Sequence, residues 1–206
     1  MKGILLQSIG ALAMLFMASG AQAALITFNF TTVITQLGQV NSYGGTSIGD
    51  TFSGSFTFDD TVAGSGGVYA FSGPGVGISA TVGSSSFDIS QFTITVSNQI
   101  GSGSTNDVYL VEGAEGSAQS DTYFKIVLTD TDGLIFSDQS LPLTPPPLSA
   151  IEAQGNVVRT QTPTTTNPFS AFDLTSLTVA TVPIPAAAWL FGSAIGLLGW
   201  MRRKAA

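Results

Sequence analysis

The 206 residues include no cysteine and no histidine, which excludes disulfide staples, thiol nucleophiles, imidazole bases and thiolate zinc sites together. Of six basic residues only Lys125 and Arg159 lie in the body, and 13 acids against those two cations leave residues 24–182 with a formal charge of −11. That balance excludes a nucleic-acid partner, which needs clustered Lys and Arg for its phosphates, and suits a chain released into open medium.

The chain opens as a targeting segment. Met1-Lys2 supplies a positive start, Ile4 to Met17 a short apolar stretch, and Ala21-Gln22-Ala23 a small-residue cleavage site, so residues 1–23 read as a signal peptide and the mature chain begins at Ala24. An exported body without cysteine rests on core burial, which roughly 160 residues can supply.

From Leu25 to Val182 the apolar residues recur with period two. In ITFNFT, Ile26, Phe28 and Phe30 share one face, and in DTFSGSFTFDD Phe52, Phe56 and Phe58 do the same, with Gly54 placed where a large side chain does not fit. Further strands are expected at 76–82, 87–96, 107–112, 122–129, 133–136 and 176–181, rich in Thr, Val, Ile and Phe. GSGGV, GSGST and TDTDG separate them as turns. About eight short strands and no amphipathic helix predict an all-β body over 24–181, a single antiparallel β-sandwich of jelly-roll type. The proline-rich stretch 137–170 reads as an irregular excursion, with Leu141, Leu143 and Leu148 packed on a sheet face.

Chemistry-bearing residues are few. Asp130-Thr131-Asp132-Gly133 resembles the start of a calcium loop, but Leu134, Ile135 and Phe136 follow where further carboxylates would be needed, and Asp-Gly is itself a hairpin signal. A hairpin is expected, and neither metal nor cofactor. Asp59 and Asp60 are adjacent in an extended chain, so they point to opposite faces and cannot flank a sugar as a glycosidase pair does. Asp88, Asp107 and Asp121 could do so only if the fold converged them. No catalytic set is expected. For glycan stacking the body offers Tyr43, Tyr69, Tyr109 and Tyr123 but no tryptophan, since Trp189 and Trp200 both lie in the tail.

The tail, TVPIPAAAWLFGSAIGLLGWMRRKAA, sets an apolar run between a proline motif and a basic end. As a helix, residues 186–201 would rise about 24 Å, somewhat less than a hydrocarbon core of about 30 Å. Arg202, Arg203 and Lys204 would then lie on the cytoplasmic side. Pro183 and Pro185 hold the approach extended and readable by a protease.

Val182-Pro183-Ile184-Pro185-Ala186-Ala187-Ala188-Trp189-Leu190-Phe191-Gly192-Ser193, followed by the Gly- and Leu-rich run and Arg202-Arg203, resembles the PEP-CTERM sorting domain of Gram-negative bacteria in its VPxP variant. Ile184 stands where the motif's name places Glu. The resemblance covers about 25 residues. It implies recognition by an exosortase-type processing enzyme, a transient stay in the inner membrane, and release to the cell surface or an exopolysaccharide-rich biofilm matrix. The expected function is therefore that of an exported, non-enzymatic structural or adhesive protein. The alternatives are a carbohydrate-active protein, lectin-like or hydrolytic, and a surface protein that stays anchored through its C-terminal span.

Overall fold

A computed structural model describes residues 25–38, 45–98, 106–117, 120–160 and 169–180. The expected signal peptide with its Ala21, Ala23 and Ala24, and the expected sorting tail from 182 with its membrane helix, lie outside the described residues, as does Tyr43.

Among the described residues eleven strands form: β1 Leu25–Gln36, β2 Thr51–Asp59, β3 Val68–Ser72, β4 Gly77–Val82, β5 Ser85–Ile89, β6 Gln91–Asn98, β7 Asp107–Ser117, β8 Ser120–Asp130, β9 Ala153–Gln154, β10 Asn156–Thr160 and β11 Phe169–Val179. They build one antiparallel sheet in the order β3-β6-β7-β8-β10-β11-β1-β2-β4-β5, with β9 added to β8. Among the described residues the only helical piece is the 3-10 turn Leu148–Ala150, and no helix is long and apolar enough to cross a membrane.

The period-two pattern decides which face is covered. Phe28 and Phe30 of β1, Phe52, Phe56 and Phe58 of β2, Ile78, Ala80 and Val82 of β4, and Phe124, Ile126 and Leu128 of β8 are all buried. The sheet curls until its halves meet across these rings. Phe56 of β2 lies 6.3 Å from Phe92 of β6, Phe87 of β5 lies 5.8 Å from Phe124 of β8, and Phe30 stacks on Phe124 at 5.3 Å, although none of these strand pairs shares a ladder. Burying each ring stabilises the fold by about 1.5 to 3 kcal/mol, with a further ~1 kcal/mol for well-placed aromatic pairs.

Gly54 sits opposite Phe30 on one side and Ala80 on the other. A Cβ there would fall on the Phe30 ring and the Ser79 carbonyl, so the absent side chain is what lets that ring lie flat on β2.

Three expectations about elements are corrected. The stretch 87–96 is two strands, β5 and β6, broken at Ser90, whose N–H and hydroxyl donate to Glu115 at 3.0 and 3.2 Å. No strand forms at 133–136, and TDTDG is not a tight hairpin. Instead Asp130 ends β8 and an irregular segment runs to the turn at 148 before the chain returns as β9 and β10. Within 137–170 the packing of Leu141 and Leu148 matches the expectation, but Leu143 is about half exposed. That region also supplies β10, which bridges β8 and β11 in the middle of the sheet.

Candidate functional site

Asp107 and Asp130 are ladder partners at the rim of the curled sheet, both buried on its inner face. A buried carboxylate demands donors. Asp130 finds them in the segment that follows it: Oδ1 accepts from Asp132 N at 3.2 Å, and Oδ2 from Leu134 N at 2.8 Å and Ile135 N at 3.1 Å. Gly133, at φ 69°, makes the turn that brings these amides round. Asp107 Oδ2 accepts the next amide, Phe136 N, at 2.7 Å. Asn98 Nδ2 donates to Phe136 O at 2.8 Å, and Tyr69 donates through its hydroxyl to Gln139 O at 2.9 Å. The motif that looks like a calcium loop thus fastens a strap across one end of the core, with Phe136 against Tyr109 at 6.4 Å.

Glu152, which returns beside β8 just before β9, was invisible as a neighbour in the sequence. One oxygen each of Asp130, Asp132 and Glu152 lie within 4.8 Å of one another, at the edge of a cleft of about 440 Å³ walled also by Leu134, Ile135 and Pro147. The trio is the described group with metal-ligand composition, and Asp130 and Glu152 already accept hydrogen bonds from the chain. Glu152 Oε2 accepts from Thr131 N at 2.5 Å and from Thr131 Oγ1 at 2.6 Å. A hydrogen bond from the Asp132 carboxyl, when that group is protonated, lowers the Asp130 pKa below the usual carboxylate value, helped by the Leu134, Asp132 and Ile135 amides against the opposing effect of burial. Asp132 moves the other way: that hydrogen bond first, then burial and the charges of Asp130 and Glu152, raise its pKa.

The other carboxylates considered for a glycosidase pair lie in different surroundings. Asp59 caps its own turn, accepting from the Thr61 hydroxyl at 2.6 Å and its N–H at 2.8 Å, and those bonds lower its pKa. Asp107 is buried beneath the strap, whereas Asp88 is exposed on β5. Nothing is described of the Asp121 side chain. Asp88 instead lines a hydroxyl-rich cleft of about 380 Å³ together with Ser55, Thr57, Ser79 and Glu115, the last of these engaged by Ser90.

A third hollow, of about 390 Å³, lies on the outer face of β3, β6, β7 and β8. The alternation that sends Phe71, Phe92, Val111 and Phe124 inward turns Ala70, Gln91, Thr93, Glu112, Ala114 and Tyr123 outward. Tyr123 donates through its hydroxyl to Glu112 Oε1 at 2.6 Å, and the Arg159 guanidinium sits 5.6 Å from the centre of its ring. Partial burial, then the bond to Glu112, raise the Tyr123 pKa, so the phenol remains a donor at any ordinary pH. Of the body tyrosines considered as stacking platforms, Tyr109 is buried and Tyr69 is tied to the strap, while Tyr123 borders an open hollow.

Comparison with known proteins adds no relative: no family model, curated protein or solved structure matches the chain.

Proposed function

We propose that this chain is an exported, non-enzymatic β protein of the cell surface or extracellular matrix, delivered through its PEP-CTERM-like tail. The observation that carries the reading is the ordered C-terminal signal, with Val182-Pro183-Ile184-Pro185 first, then the apolar run 186–201, then Arg202-Arg203, in a chain that begins with a signal peptide. The exosortase-type enzyme reads the extended proline segment while the helix holds the chain in the inner membrane. Processing then frees the body into the exopolysaccharide matrix, where its role is structural or adhesive.

The body supports this reading. β1 begins at Leu25, so cleavage after Ala23 removes no part of the sheet. β11 pairs with β1, and Ala180 N donates to Thr27 O at 2.8 Å, so the two ends of the body lie side by side where the tail departs. The rings that meet across the core support a jelly-roll-like sandwich as its architecture.

Replacing Pro183 and Pro185 by Ala in the original host tests the reading. Wild type is expected at the surface or in the medium without the residues beyond the motif, as read by mass spectrometry of its C-terminus. The double variant is expected in the inner membrane at full mature length, because the basic end and apolar run are untouched. Equal membrane retention of both, each ending at Ala206, would establish the permanently anchored alternative.

A further inference from the structure

The outer hollow over β3, β6, β7 and β8 has the chemistry of a sugar site, and the geometry points to a binding subsite there for one or two residues of a neutral polysaccharide. Ala70 and Ala114 keep the space open, since a large side chain at either position would intrude into a hollow of about 390 Å³, which is within the usual range for small-ligand sites. The walls are of the two kinds a pyranose requires. An aromatic face receives its C–H groups, and fixed acceptors and donors receive its hydroxyls.

Tyr123 is the aromatic wall. Arg159 over its ring and the bond from its hydroxyl to Glu112 hold it in place, so little side-chain freedom is lost when a sugar packs on it. Glu112 is the principal acceptor. Its Oε1 is oriented by Tyr123, while its Oε2 takes no hydrogen bond among the described residues, nor does the Gln91 amide or the Ser72 hydroxyl. A carboxylate, an amide and a hydroxyl lining one hollow offer a sugar partners for its hydroxyls, and the charge of the carboxylate strengthens each bond it accepts.

Charge selects against an acidic polymer. Arg159 beside Tyr123 and Lys125, the ladder partner of Glu112, offset the Glu112 charge at the hollow itself, but the body as a whole carries 13 acids against those two cations, so a uronate polymer would meet net repulsion on approach. The hollow is open along the sheet face, which lets a polymer run through it. This inference rests on the matrix reading above, and it assigns the adhesive role a ligand class and a place.

Affinity electrophoresis of the purified full-length chain in mild detergent, in gels cast with β-glucan, starch, xylan, mannan or polygalacturonate, tests it. At least one neutral polysaccharide is expected to retard the chain. Glu112→Gln and Tyr123→Ala are expected to weaken that retardation at least tenfold. Tyr123→Phe, which keeps the ring and releases Glu112, should fall between. Ala114→Arg fills the hollow from an exposed position without touching the core, and should abolish retardation at an unchanged melting temperature. Asp88→Ala, in the other cleft, should bind as wild type does. No retardation by any neutral polymer, retardation by polygalacturonate alone, or wild-type binding by Ala114→Arg overturns the subsite. Because binding is measured on purified chain, a protein that is sorted and processed normally yet binds no neutral glycan overturns the subsite alone, and one that binds but is never processed overturns the sorting reading alone.

Discussion

Adding one methyl group at Gly54 should be among the more damaging small changes available to this sheet. An alanine Cβ there would overlap the Phe30 ring and the Ser79 carbonyl, and would stand 2.6 Å from Ala80 Cβ, where carbon atoms prefer about 3.5 to 4 Å. Neither principal neighbour can yield. Phe30 is wholly buried, stacked on Phe124 at 5.3 Å and edge-on to Phe52 at 6.4 Å, and the carbonyl belongs to the β4 backbone paired with β2. Overpacking of this kind costs about 1 to 3 kcal/mol, and the immovable partners place Gly54→Ala at the upper end. Removing a glycine from the unfolded chain returns about 0.4 to 1 kcal/mol. The net loss is about 2 to 2.6 kcal/mol, which for a domain of this size lowers the melting temperature by roughly 4 to 10 °C. Urea and thermal unfolding of residues 24–181 measure it, with Gly155→Ala as control, where the nearest atom is Val127 Cβ at an ordinary 3.6 Å and a change within about 0.5 kcal/mol is expected. A Gly54→Ala protein as stable as the control would refute the claim that Phe30 occupies the space above β2.

Tyr109→Phe should raise stability by about 1 kcal/mol, because the Tyr109 hydroxyl is fully buried without a hydrogen-bond partner; a loss of stability would mean that a bridging water serves it. Asp130→Asn and Asp132→Asn should act in opposite directions at neutral pH. Asp130 has a lowered folded pKa, so its contribution is present above the ordinary carboxylate pKa and is lost as pH falls through the folded value, and Asp130→Asn should destabilise at pH 7 and have little effect in strong acid. Asp132 has a raised folded pKa, so its contribution holds in acid and fades as pH rises through that value, and Asp132→Asn should therefore be neutral or stabilising at pH 7; thermal melts from pH 2 to 8 read both. Chelator should shift the melting temperature by no more than about 2 °C, since the Asp130 and Glu152 oxygens are already bonded by the chain. A rise of several degrees with calcium that Glu152→Gln removes would make the trio a metal site.

The all-β body was legible in the sequence because period two is a local property: which of Phe28, Phe30, Phe52, Phe56 and Phe58 face the core follows from alternation alone. The break at Ser90 was legible too, though the two strands read as one. The buried positions run 87 and 89, then 92, 94 and 96, so the parity changes between β5 and β6, and an alternating strand cannot change parity without a turn or bulge. Gly54 could be read as a tight place, but not that Phe30 is what fills it. β10 carried too little signal, because its alternating buried positions are Asn156 and Val158, and a buried Asn does not read as a core position in a hydropathy pattern.

Everything that depends on distant segments meeting was decided only by the tertiary structure. The residues after Asp130 have the local chemistry of a hairpin, and a hairpin is what a local reading returns. In the fold Asp107, from a neighbouring strand, stands beside Asp130 at the rim, and two buried carboxylates need more donors than a tight turn offers, so the segment opens into a strap whose amides reach both Asp130 oxygens and Asp107 Oδ2. Glu152 joins Asp132 only because β9 returns along β8, and Ala70 shares a hollow with Gln91, Glu112 and Tyr123 only because β3 pairs with β6 across the excursion of β4 and β5 and so joins the β6-β7-β8 meander. Alternation fixes the face on which a side chain lies. Strand order fixes its company, and strand order is set by the burial of the whole set of rings at once, which no stretch of sequence contains.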